Sequence, residues 1–129
     1  MLDYNHEKAF WTPESPVSMQ EFYAAFLSWR AGAGMDNAIA DHLADMYAGL
    51  GLHHIQQTPQ HEMTHREDAD FTTRIGIWAQ VAKGRGPQMV GDGFITEEQR
   101  AAAEQDYRAW IEHEAQSQTL YLLAIEGIR

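Results

Sequence analysis

Near the end of the chain, Leu120 to Ile125 reads L-Y-L-L-A-I, an almost wholly apolar run. A strand with one wet face alternates apolar and polar residues, so a run without alternation belongs to a strand buried on both faces. Such a strand needs cover on both sides, and the preceding sequence supplies it as helices. Ser18 and Glu21 have capping-box spacing, and Met19, Phe22, Tyr23, Phe26 and Trp29 follow at helical intervals until Gly32 and Gly34. A second helix is expected from Asp36 to Ala48, with Ile39, Leu43, Met46 and Tyr47 on its inner face and Gly49 and Gly51 closing it. Leu52 to Arg66 reads as one or two short strands broken at Pro59. Asp70 then caps a third helix carrying Phe71, Ile75, Trp78 and Val81, stopped by Gly84 and Gly86. Thr96 and Gln99 open a long last helix that turns Tyr107, Trp110 and Ile111 inward. Met1 to Asn5 is a short strand, followed by a loop across Pro13 and Pro16. Strand, helices, strand, helices, strand is an α/β order, with a small sheet of about three strands and helices on its faces.

The totals narrow the function classes. A length of 129 residues predicts a single domain over residues 1–129, and 44% apolar content is enough to bury a core. A formal charge of −10 with only nine Lys and Arg speaks against a nucleic-acid partner, because phosphate backbones are held by clustered cations. There is no cysteine, which excludes disulfides and thiolate chemistry. No signal peptide is visible, and no apolar run approaches the roughly 20 residues that cross a bilayer. The expectation is a soluble cytoplasmic protein with no membrane partner.

Three segments carry a family likeness: D-Y-N-H from Asp3 to His6, W-R-A-G-A-G-M-D-N-A-I-A-D-H-L from Trp29 to Leu43, and T-L-Y-L-L-A-I-E-G-I-R from Thr119 to Arg129. The first two resemble the segment after the fifth sheet strand of class I S-adenosylmethionine-dependent methyltransferases, and the third resembles the last strand of that fold. The likeness covers only the family's C-terminal, acceptor-side half of a Rossmann-like fold. It implies that the last two strands pair antiparallel beside the fifth. It also implies S-adenosylmethionine as cofactor and a small-molecule acceptor as substrate. The first strand and its glycine-rich cofactor loop have no counterpart: Gly84, Gly86, Gly91 and Gly93 are spaced as helix stops and turns.

By that resemblance, residues just past the fifth strand line the acceptor pocket. Here they are Tyr4, Asn5, His6 and Trp11, then Trp29, Arg30, Asp36 and Asn37. His6 is the candidate catalytic base, since an unperturbed imidazole titrates near neutrality; it is equally readable as a polar residue ending a strand. Trp29 and Arg30 suit an aromatic or carboxylate acceptor, while Trp29 also has core spacing. Asp36 and Asn37 read as well as a helix cap. Asp41 faces Asp45 or solvent.

A second pattern is independent of the resemblance. His53, His54, His61 and His65 fall within thirteen residues, and His61-Glu62-Met63-Thr64-His65 matches the metalloprotease pattern H-E-x-x-H. That pattern chelates zinc only on a helix, and Pro59 and its Gln neighbours interrupt one, so no metal ligand is assigned. The half-fold has a further consequence. Its first strand is left with an open edge, which invites pairing with another chain. The expected partner is a second copy or a separate N-terminal half, and the alternative to an enzyme is a non-catalytic assembly protein that uses that edge.

Overall fold

The computed structural model describes all residues, Met1–Arg129. Its centre is the last strand, β4 (Ser117–Ile128), which pairs antiparallel with every other strand. On one side lies β1 (Leu2–Thr12), and on the other lie β2 (His53–Pro59) and β3 (Glu62–His65). Four strands thus stand where about three were expected. Pro59 is opposite Leu123 and Glu62 is opposite Leu120, so β2 and β3 keep one register and form a single interrupted rank. The predicted break at Pro59 is that interruption. Gln60 N–H still reaches the Leu122 carbonyl, and Leu122 N–H donates to His61 Nδ1, a ring nitrogen where a strand would offer a carbonyl.

β4 is covered on both faces, as its apolar run requires. Tyr121, Leu123 and Ile125 face α2 (Ile39–Gly49) and pack with Ala40 and Leu43. Leu120, on the alternate face, packs against a larger helical cluster. That cluster joins α1 (Val17–Gly32), α3 (Phe71–Ile75), α4 (Ile77–Gly84), α5 (Gly86–Gly91) and α6 (Glu97–His113). Trp78 sits at its middle, with Trp11, Tyr23 and Phe26 edge-on at centroid distances of 6.2, 5.0 and 5.8 Å. Edge-to-face pairs of this kind add about 0.5–1.5 kcal/mol each beyond the area they bury. Tyr107 is fully buried and donates its hydroxyl to the Ile75 carbonyl at 2.8 Å, fixing α6 against α3.

Local sequence rules account for part of this. Thr96 accepts from Gln99 N–H, and Gln99 returns a bond to Thr96 N–H, so the second capping box forms as expected. The first does not. α1 starts at Val17 behind Pro16, and Ser18, already inside the helix, donates its hydroxyl to Asp106 Oδ2 of α6 at 2.7 Å. A tertiary partner has taken the cap side chain. The second helix begins at Ile39 rather than Asp36, because Asp36 accepts from Ala38 N–H in a turn ahead of it. The expected third helix is two short ones. A Cβ at Gly76 would lie 2.6 Å from the Thr72 carbonyl oxygen, so this tight turn between α3 and α4 takes only glycine without displacement. α5 has no signature in the sequence beyond Pro87 at its first turn.

Candidate functional site

The feature that shapes the candidate site is a break in the β1–β4 ladder. Leu2 to Asn5 pair in register, ending with Asn5 opposite Tyr121; pairing resumes with Phe10 opposite Thr119. Five steps along β1 therefore match two along β4, and His6, Glu7, Lys8 and Ala9 stand out opposite Leu120. A bulge of this kind bends the strand and re-aims its side chains. Asn5 starts it: buried to 3% exposure, it accepts from Glu7 N–H through Oδ1 and donates through Nδ2 to Asp41 Oδ2 at 2.8 Å.

The released backbone of His6 is caught from two directions. Its N–H donates to the Asn37 carbonyl at 2.7 Å, and its own carbonyl accepts the Tyr23 hydroxyl. Asn37 is the joint between the two elements. Its amide nitrogen donates to the Leu27 carbonyl at 2.8 Å, and its amide oxygen accepts from Arg30 Nε at 2.9 Å. The end of α1, the turn before α2 and the β1 bulge are thereby tied into one unit.

On that unit, the His6 ring stacks against Tyr4 with centroids 5.3 Å apart and planes 14° apart. Tyr4 donates its hydroxyl across β4 to Glu62 Oε1 at 3.1 Å. Burial and, next, the Arg30 charge hold the His6 imidazole below its ordinary pKa, against a smaller opposite pull from Asp3. His6 is thus a neutral imidazole near neutral pH, able to accept a proton. Burial pushes the Tyr23 hydroxyl up, so it stays a donor to His6. Tyr4 is raised as well, by burial and then by Glu62.

Next to this unit, Asp41 Oδ2 takes Lys8 Nζ at 2.6 Å along with Asn5, while its Oδ1 is buried without a partner. Lys8 Nζ also sits 4.6 Å above the Tyr121 ring. The expectation that Asp41 faces Asp45 or solvent is corrected here: the bulge carries Lys8 and Asn5 onto it.

Of the residues picked out in the sequence, Tyr4, Asn5, His6, Arg30 and Asn37 come together. Asn5 and Asn37 are buried, with both side-chain amide atoms engaged inside the protein. The other three stand elsewhere. Trp11 donates to Gln118 Oε1 at 2.8 Å and packs in the seam between sheet and helices. Trp29 packs at the margin of the helical core and donates to Asp92 Oδ2 at 2.9 Å. Asp36 is exposed and pairs with His42. Tyr23 and Asp41 were missed as members of the unit. Tyr23 carries a helical core spacing that says nothing of its hydroxyl, and Asp41 shows no partner within helical reach.

Five hollows of about 290 to 500 Å³ open on the surface, and none of them is lined by His6 or Arg30. The unit is an open shelf. The hollow with the most hydrophobic lining residues, about 290 Å³, has Phe10, Trp11, Met19 and Tyr23 on its wall.

The H-E-x-x-H segment is extended. Glu62–His65 is β3, and residues four apart on a strand are separated by about 13 Å, where a helix would place them on one face. His61 spends Nδ1 on Leu122 N–H and stacks on Tyr121 at 4.3 Å. No group of three or more His, Asp or Glu side chains converges on a metal-sized space.

A methyl-donor site would use a glycine-rich loop at a strand–helix turn. The glycines with positive φ, Gly34, Gly51 and Gly93, all follow helices: α1, α2 and α5 respectively. No glycine lies in Pro13–Pro16, the turn from β1 to α1. This chain's own residues do not fit a sulfonium nucleoside. No helix is long and apolar enough to cross a membrane. No protein-family model matches the chain, and no curated protein matches it in sequence.

Proposed function

We propose that the chain is the acceptor-side portion of an S-adenosylmethionine-dependent methyltransferase acting on a small molecule. The observation that carries this reading is the place of the last strand. β4 pairs antiparallel with both β1 and the β2–β3 rank, in keeping with the antiparallel pairing that the family likeness implies beside the fifth strand. A second feature supports it. The bulge after Asn5 presents His6, a neutral imidazole stacked on Tyr4, and the family likeness assigns that residue to the acceptor side. In this reading His6 accepts the proton released by the acceptor, and Tyr4 holds the ring by stacking. The donor is bound by a glycine-rich half that this chain does not contain, supplied by a separate N-terminal partner or formed across a homo-oligomer.

A specific observation favours the alternative, a non-catalytic assembly protein. β1 has a strand on one side only, and Met1 and Leu2 at its start are 65% and 53% exposed. An edge strand with exposed apolar residues is a pairing template. Isothermal titration with S-adenosylmethionine and S-adenosylhomocysteine, with light scattering in the same buffer, separates the two. Micromolar binding by an oligomer supports the enzyme reading. An oligomer that ignores both ligands supports assembly, and a monomer that ignores both moves the search to a separate donor-binding partner.

A further inference from the structure

We infer that Arg30 is a carboxylate-binding subsite beside His6, so that the small molecule recognised here is a carboxylic acid; the inference rests on the acceptor-site reading above and names the substrate class.

The ground is an anomaly in how the arginines are paired. The chain carries nineteen Asp and Glu against nine Lys and Arg, so an arginine drawn partly out of water should have an acidic or carbonyl partner. The other half-buried arginines do. Arg66 donates to the carbonyls of Ile111, Glu112 and Ala115, Arg100 to Glu97 and Glu104, and Arg74 lies near Glu62 and Asp70. Arg30 is half-buried as well, yet its side chain makes a single hydrogen bond, from Nε to the amide oxygen of Asn37. Its two terminal nitrogens donate to nothing in the chain. Both nitrogens are open to solvent, so an incoming anion meets charged donors with no protein acceptor to displace.

Geometry selects the anion. With Nε occupied, Nη1 and Nη2 form the free end of a planar fork, which matches the two oxygens of a carboxylate. The fork is held in place from behind, because Asn37 is itself fixed to Leu27 and its backbone to His6. The guanidinium carbon also lies 5.7 Å from the centroid of Phe26, a contact that limits its swing. Besides Arg30 itself, the charged groups acting on the unit are Asp3 on His6 and Tyr4, Glu62 on Tyr4 and Glu7 on Tyr23, and none of the three acids pairs with Arg30. Arg30 stands close enough for its charge to act on the His6 imidazole, so an acid anchored on the fork would sit in the neighbourhood of that ring.

An NMR titration of the 129-residue chain tests this, using benzoate, its neutral isostere benzamide, and inorganic phosphate at matched ionic strength. Benzoate is expected to shift the His6 and Asn37 amide signals saturably, while benzamide leaves them in place and phosphate binds at least about tenfold more weakly. Arg30→Gln should weaken benzoate by about tenfold or more. Arg30→Lys keeps the charge and loses the fork, so it too should bind more weakly than the parent. Thermal melting of both variants checks that they fold, and Arg30→Lys carries the test if Arg30→Gln does not. Equal response to benzoate and benzamide, phosphate binding as tight as benzoate, or full benzoate affinity in a folded Arg30 variant overturns the inference. Benzoate binding by an oligomer that ignores the donor leaves the subsite standing and removes support from the methyltransferase reading, and in a monomer it leaves the subsite standing and moves the donor to a separate partner; donor binding with no benzoate response overturns the subsite alone.

Discussion

The molecule has two unequal halves around β4. On one face, helices α1 and α3 to α6 enclose a cluster of fifteen buried residues centred on Trp78 and Tyr107; on the other, α2 encloses only four, Ala40, Leu43, Leu123 and Ile125. The candidate site lies where the two sides meet, between the end of α1 and the turn before α2, and there hydrogen bonds do the holding. His6 is placed by Asn37 and Tyr23, Asn5 by Asp41, and Arg30 by Asn37. The difference is one of energy and of direction. Apolar burial at roughly 25 cal/mol per Å² is large but non-directional, and it fixes a scaffold. Hydrogen bonds contribute only about 0.5–1.5 kcal/mol each, yet they set where a ring and a guanidinium point.

The largest effect should come from the thick side. Trp78→Ala is expected to cost about 3–5 kcal/mol, read as a lower urea midpoint, whereas Leu43→Ala in the thin cluster should cost about 2–3. Equal losses would mean that the two clusters carry equal weight and would break the comparison. Gly86→Ala comes next. A Cβ there falls 2.6 Å from Cγ and Cδ of Arg100, whose guanidinium is tied to Glu97 and Glu104, so it cannot simply swing away. A loss of about 1–3 kcal/mol is expected, and a neutral result would show the helical side to be looser than its packing implies.

Where the two sides meet, Asn37→Ala removes the bonds to Leu27 and Arg30 but keeps the backbone bond to His6. It should cost about 1–2 kcal/mol in urea melts while increasing amide exchange at His6. Unchanged exchange would show that the bulge is held without that side chain.

The smallest effect is a titration. The His6 pKa is lowered in the fold, so the unfolded chain binds more protons between the folded value and the ordinary 6.5. The His6 contribution to stability is therefore complete above pH 6.5 and is lost as pH falls through the folded value. An NMR titration of the ring should give a midpoint below 6.5. Arg30→Gln should raise that midpoint only partly, because burial is the larger cause, and Asp3→Asn should lower it further. A midpoint at or above 6.5 in the parent would remove His6 as a neutral base.

Several elements were legible because their causes lie within a few residues. The Thr96–Gln99 box, the Pro59 interruption and the stops at Gly32 and Gly49 are all local events. Where local reading failed, a distant partner had intervened. Ser18 left its capping role for Asp106, eighty-eight residues on. The single helix expected from Asp70 turned sharply at Gly76 as α3 and α4 packed onto α6 through Ile75 and Trp78. The site was legible as a set of residue types near His6, but not as an arrangement. Nothing in the sequence says that β1 skips three positions against β4, and that skip is what frees the His6 backbone for Asn37 and Tyr23 and carries Lys8 onto Asp41.

The sequence by itself determined that this chain builds an α/β domain with its last strand buried on both faces. Period, caps and turn residues act over three or four neighbours, and they are written in order along the chain. Only the tertiary structure decided that β4 stands between β1 and the β2–β3 rank, where the bulge falls, and which arginine is left without an acidic partner. Those outcomes depend on contacts such as Trp11 with Gln118, 107 residues apart, whose energies exist only once both faces of the sheet are covered.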